Sequence, residues 1–171
     1  MIFTALMMAT SFLLFLAGMQ LSAFFSGSET GFYRVSQLQL HLQQQQGDPI
    51  ARRLGRFLQT PERFVSTTLV GNNVANYLTA LAIGLFIAEA SGFSGPSGGM
   101  ELAATLLLAP VIFVFGELIP KSLYYRSPLS LLRSRSLVFL FFYYVFLPVS
   151  YPLTLIAGLI SKFIGLSLIH I

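Results

Sequence analysis

Pro110-Val-Ile-Phe-Val-Phe-Gly-Glu-Leu-Ile-Pro-Lys121 sets one carboxylate, Glu117, near the end of a long apolar run. An ionisable group at membrane depth is costly unless it lines a cavity, finds a partner or binds something, so such a residue points first to function. Pro120 adds to this. It has no N–H for the carbonyl four residues back and its ring crowds that oxygen, so in a helix the Gly116 carbonyl loses its partner. Gly116 has no side chain to screen it. A freed carbonyl beside a carboxylate gives two hard oxygen donors, suited to a small divalent cation or to sodium. A second reading of the same residues has Pro120 simply ending the helix while Glu117 pairs with Lys121 one turn on.

Composition sets the surroundings of that stretch. Of 171 residues, 55% are hydrophobic and 9% charged, with mean hydropathy +0.76, which defines an integral membrane protein with the bilayer as its partner. The net charge is +4. Its basic residues cluster between Arg34 and Arg63, again between Lys121 and Arg135, and end with Lys162. Such clustering marks a cytoplasmic side, and no aromatic-interleaved basic face accompanies it, so nucleic acid is not an expected partner. Cysteine is absent. Thiolate sites and disulfides are therefore excluded, and His41 and His170 lie outside the strongly apolar runs, which leaves oxygen as the donor type.

The chain reads as one all-α membrane domain over residues 1–171. The expected architecture has three transmembrane helices, cytoplasmic juxtamembrane amphipathic helices and a proline-broken fourth apolar hairpin. The first crossing occupies residues 1–30 and lacks a preceding basic region, so it reads as retained, with its N-terminus outside. It ends in Leu21-Ser-Ala-Phe-Phe-Ser-Gly-Ser-Glu-Thr-Gly31, where Ser22 and Ser26 share one helix face. Those serines can ligate an ion, or can simply let neighbouring helices approach closely. Residues 31–60 hold two amphipathic helices joined by a Gly47-Asp48-Pro49 turn, after which Thr60-Pro61 reads as an N-cap followed by proline at the first helical position. The second crossing, 61–90, contains Leu69-Val-Gly-Asn-Asn-Val-Ala-Asn76. Asn72 and Asn76 stack one turn apart while Asn73 is rotated away, and their amides can serve as interhelical glue or as metal ligands. The third crossing, 101–121, returns inward and carries the opening motif. In residues 136–164, Pro148 and Pro152 interrupt a fourth apolar region. The positive-inside rule favours a pair of half-length helices that turn back, leaving Lys162 and the C-terminus cytoplasmic.

Polar groups thus fall at similar depth on three successive helices. All are oxygen donors, with one carboxylate among them, which suits Mg2+, Ca2+ or Na+ and not soft metals. Leu21 to Thr30, Leu69 to Asn76 and Phe115 to Lys121, taken together and in this order, resemble the transmembrane domain of the CNNM/CorC family of magnesium transporters. The resemblance runs over essentially the whole chain. It implies a homodimer in the inner or plasma membrane and a dehydrated Mg2+ held in an inward-facing cavity, with efflux coupled to Na+ entry as the activity. It also implies a ligand set of Ser22, Ser26, Asn72, Gly116 and Glu117, with Asn76, Lys121 and Ser28 close by. The family continues into cytoplasmic CBS modules that bind nucleotide, whereas this chain stops at Ile171, so nucleotide binding is not expected of it. The alternative to a transporter is a Mg2+-binding sensor or scaffold that regulates another transport protein. An intramembrane enzyme built on a Ser–Lys pair is not expected, because such a lysine must be uncharged and Glu117 one turn away is the wrong neighbour for it.

Overall fold

The computed structural model describes residues 2–91 and 98–163. Among these, all regular structure is helical: α1 (Ile2–Arg34), α2 (Gln37–Gln45), α3 (Pro49–Gln59), α4 (Pro61–Ala90), α5 (Gly98–Phe113), a π-helical turn (Val114–Leu118), α6 (Ile119–Arg126), α7 (Pro128–Ser134) and α8 (Ser136–Phe163). Among the described residues, four stretches are long and apolar enough to cross a membrane: Thr4–Arg34, Pro61–Ala90, Gly98–Arg126 and Ser136–Ile156. The expectation of three crossings therefore meets a fourth helix that qualifies by length and composition.

That fourth helix is also where the expected hairpin fails. α8 runs through Pro148 and Pro152 as one helix, without the reversal that two half-length helices would need. Proline removes an amide and crowds a carbonyl, but its φ is helical, so it kinks a helix more readily than it turns one around. A tight reversal needs residues that leave the right-handed region easily, and Ser136 to Ile156 contains no Gly, Asn or Asp. Hydroxyls near the prolines bond back along the helix, Ser150 Oγ to Phe146 O at 2.9 Å and Thr154 Oγ1 to Tyr151 O at 2.7 Å. The hairpin reading rests on the two prolines and on Lys162 sharing a side with Arg133 and Arg135, and the continuous helix has no reversal at either proline.

The bundle is built on α1. Along α1, Gly18, Phe25 and Phe32 recur every seven residues, the spacing at which a helix returns to one seam. They meet Thr79, Gly71 and Phe64 of α4 in that order, so the two helices run antiparallel. A Cβ on Gly18 would sit 2.5 Å from Thr79 Oγ1, and one on Gly71 would sit 2.4 Å from Phe25 Cζ. Both glycines are therefore needed for close approach. Farther along, the ring of Phe32 stacks on Phe64 at 4.0 Å, and Phe64 stacks in turn on Phe139 of α8 at 4.2 Å. These rings with Phe24, Phe25 and Phe57 form the largest apolar core, at the end of the bundle where the basic residues gather.

α6 packs on the other side of α1, with the Tyr124 ring seated in the notch left by Gly27 and Gly31. Tyr124 is buried, yet its hydroxyl has no hydrogen-bond partner. α3 is amphipathic, with Ala51, Leu54 and Phe57 buried and Arg52 and Arg56 exposed. The turn before it follows the sequence: Gly47 takes φ +87°, and Asp48 caps α3 by accepting from Ile50 N at 2.8 Å and Ala51 N at 3.3 Å. The second oxygen of Asp48 pairs with Arg133 of α7. The Arg133 hydrogen bond, followed by the two amides, holds the Asp48 carboxyl below its ordinary range despite some opposing desolvation. Thr60 stands at the N-cap position of α4 without capping it; its hydroxyl donates back to Arg56 O at 3.3 Å. α5 is the least packed helix, with no buried residue. An apolar cavity of about 600 Å3 separates it from α1 and α4.

Candidate cation site

The seam between α1 and α4 becomes polar one turn after Gly18. Ser22 Oγ lies 3.2 Å from Asn72 Oδ1 and 3.4 Å from Asn76 Oδ1. A hydroxyl has one hydrogen to give and two lone pairs, so it can satisfy only one of those carbonyl oxygens at a time. Two amide oxygens thus compete for the one hydroxyl hydrogen of Ser22. Asn73 is turned outward, donating to Leu69 O at 3.0 Å, as the helical period requires.

Gly116 closes the group from the third side. It is buried, and a Cβ placed on it would be 3.4 Å from Ser22 Oγ and 3.6 Å from Ser22 Cβ. Its own stretch is the π-helical turn, in which the Ile119 amide reaches back five residues to Val114 O. Pro120 explains the wider turn. It supplies no amide in either register, and π-turns are common where a helix must absorb such a gap, frequently at functional sites. The sequence motif was legible but the π register was not, since a proline four residues after a glycine fits a kink as well as a bulge.

Glu117 follows directly. Its carboxylate lies 3.6 Å from Lys121 Nζ, with side-chain exposures of 31% and 46%, respectively. That separation is longer than a direct hydrogen bond, and pairs this exposed contribute little, so the second reading of the motif describes a loose contact that leaves the carboxylate accessible. Ser26, one turn beyond Ser22, is buried, and its Oγ has no partner among the described residues. A buried hydroxyl without a partner is uncommon and calls for an explanation such as a ligand. Ser28 is buried as well. The structure therefore brings Ser22, Asn72, Asn76 and Gly116 together and sets Ser26 and Glu117 beside them in the chain. Asn76 stands as near to Ser22 as Asn72 does within 0.2 Å. Among the described residues no group of three or more His, Cys, Asp or Glu side chains could hold a metal, so any ion here is met by mostly neutral oxygens.

Long apolar helices with this inward polar cluster define a multi-pass, all-helical membrane protein. Residues 12–170 match the family described as the cyclin M (CNNM) transmembrane N-terminal domain, and the chain belongs to that family, CNNM/CorC. The UPF0053 inner membrane protein YfjD of Escherichia coli is 30% identical over 146 residues, covering 85% of this chain and 33% of that protein. A UPF0053 protein of Haemophilus influenzae is 31% identical over 157 residues, covering 91% of this chain and 35% of that one. The chain spans about a third of the length of these curated relatives.

Proposed function

We propose that this chain is the ion-translocating membrane part of a Mg2+ transporter, working as a homodimer in the inner or plasma membrane and exporting Mg2+ against Na+ entry. The ligands are Ser22, Ser26, Asn72, Gly116 and Glu117, with Asn76 completing the ring around Ser22. One observation carries the reading: the Ser22 hydroxyl faces two amide oxygens at 3.2 and 3.4 Å and can bond to only one. A hard cation resolves that surplus of lone pairs. Membership of a family linked to Mg2+ transport supports the choice of cargo. Mg2+ sheds water reluctantly, so a ring of neutral oxygens with one carboxylate suits an ion that must be held and then released.

Calorimetric titration of the purified chain in detergent with Mg2+, with Na+ as competitor, tests the site. Saturable binding in the wild type, lost in Ser22→Ala and in Glu117→Ala, is the expected result. Unchanged affinity in both variants would overturn the ligand assignment. Proteoliposomes holding only this chain then separate a transporter, which moves Mg2+ down a gradient, from a sensor that binds the ion and moves nothing.

A further inference from the structure

Three arginines surround one cavity at the basic end of the bundle. Arg53 and Arg56 come from α3 and Arg63 from the start of α4, while Tyr143 and Tyr144 of α8 form the opposite wall of a space of about 310 Å3. Arg53 and Arg56 are three apart on the face of α3 that leaves Leu54 and Phe57 buried, and α4 starts two residues after α3 ends, which brings Arg63 alongside. Among the described residues, none of the three has a carboxylate within 4.0 Å; the ion pairs are Lys121 with Glu117 and Arg133 with Asp48. Arg53 makes one polar contact, donating to Ser136 Oγ at 3.4 Å. Three guanidinium groups around one opening repel one another unless an anion sits between them.

The chemistry of the walls selects that anion. Planar guanidinium forks match phosphate oxygens, and the phenols of Tyr143 and Tyr144 can donate to them. Gln59 and Thr60 complete the polar lining, Phe57 and Leu140 give the cavity an apolar side, and Phe141 and Val145 beside Leu140 on α8 are exposed. Depth agrees as well. α4 has 30 residues where about 20 suffice to cross, so Arg63, its third residue, falls at headgroup level, where tyrosine is also enriched. We propose that this cavity binds the phosphate headgroup of an anionic phospholipid, with the acyl chains lying along the exposed apolar face of α8. A soluble phosphate shares the charge chemistry but has no use for the apolar wall. The inference is independent of the cation site.

Native mass spectrometry of the full chain, incubated with phosphatidylglycerol or phosphatidylcholine and released from detergent, tests it. The cavity variant is Arg53→Gln/Arg56→Gln/Arg63→Gln. Its control is Arg34→Gln/Arg52→Gln/Arg126→Gln, three exposed arginines outside the cavity. Phosphatidylglycerol should be retained over phosphatidylcholine by the wild type. Its retention should fall by at least about tenfold in the cavity variant and less than about twofold in the control. Equal losses in the two variants, or equal retention of the two lipids by the wild type, would overturn the proposal. Inorganic phosphate forms a second arm: phosphate binding that disappears in the cavity variant while phosphatidylglycerol retention does not would overturn the lipid assignment in favour of a soluble anion. Should the triple variant lose its helical circular dichroism, the single substitutions Arg56→Gln and Arg63→Gln, both at exposed positions, replace it, each with a loss of about fivefold expected and no loss refuting the site.

Discussion

Substituting Gly18 by alanine tests whether the α1–α4 seam sets the geometry of the candidate cation site. The new Cβ would stand 2.5 Å from Thr79 Oγ1, 2.9 Å from Thr79 N and 3.1 Å from Ala75 O. Two of those atoms belong to backbone and cannot swing aside. Thr79 Oγ1 is buried and donates to Ala75 O at 2.9 Å, so moving it would leave a buried hydroxyl unpaired. The helices must therefore part by about 1 Å to restore ordinary contact. Overpacking of this kind costs about 1–3 kcal/mol. Against it, alanine gains about 0.8–1 kcal/mol over glycine within a helix. Gly84→Ala isolates that gain, because its nearest neighbour would be Glu101 Oε1 at 3.8 Å. Unfolding in mixed micelles by added dodecyl sulfate, followed by far-ultraviolet circular dichroism, should place Gly18→Ala about 1–3 kcal/mol below Gly84→Ala. Because Ser22 lies one turn on, Mg2+ affinity should fall in Gly18→Ala alone. Equal stability of the two variants would refute the close packing, and equal Mg2+ affinity would refute its coupling to the site.

Tyr124→Phe removes a buried hydroxyl that has no partner and keeps the ring in its glycine notch, so it should be neutral or stabilising by about 1 kcal/mol; a loss of stability would mean the hydroxyl is satisfied. Asp48 has a folded-state pKa below its ordinary 3.8, so its contribution is present above that value and is lost as pH falls through the depressed one. The wild type should accordingly exceed Asp48→Asn in stability at pH 6 and lose that advantage progressively below about pH 4, whereas a difference independent of pH would refute the pairing with Arg133. Pro152→Ala should stabilise α8 by up to about 3 kcal/mol, measured by the same micelle unfolding, and a loss of helix content would favour a chain reversal there.

Much of the local architecture was legible because it rests on short-range chemistry. Asp48 caps and Gly47 turns where the Gly-Asp-Pro sequence says they should, and the spacing of Asn72, Asn73 and Asn76 fixed which amide faces away. Thr60 shows the limit of the same logic, since its hydroxyl found the Arg56 carbonyl behind it instead of the amides ahead. Contacts between distant segments were not legible. Asp48 and Arg133 are 85 residues apart, and nothing local to either announces the pairing. The Gly27 and Gly31 notch reads as ordinary small-residue packing until Tyr124 is seen to fill it. In α8 two prolines signal a break, but no Gly, Asn or Asp between Ser136 and Ile156 offers the chain a reversal, and the helix continues. At the candidate site, the polar residue types are readable, but the distances of Asn72 and Asn76 from Ser22 are set by the seam between helices and not by the motif.

The π-helical turn also acts as a phase adjuster. Gly116 and Tyr124 both meet α1, the first at Ser22 and the second at Gly27 and Gly31. In an unbroken α-helix, residues eight apart point about 80° away from each other. The wider turn rotates each residue through a smaller angle, which brings both contacts back toward one line. Restoring regular α winding with all five residues of Val114–Leu118 kept would swing everything after them by about 80°. The Tyr124 ring would leave its notch, and α7 with it would lose alignment to Asp48. The wider turn therefore keeps the Gly116 contact with Ser22 and the Tyr124 notch in register along α1.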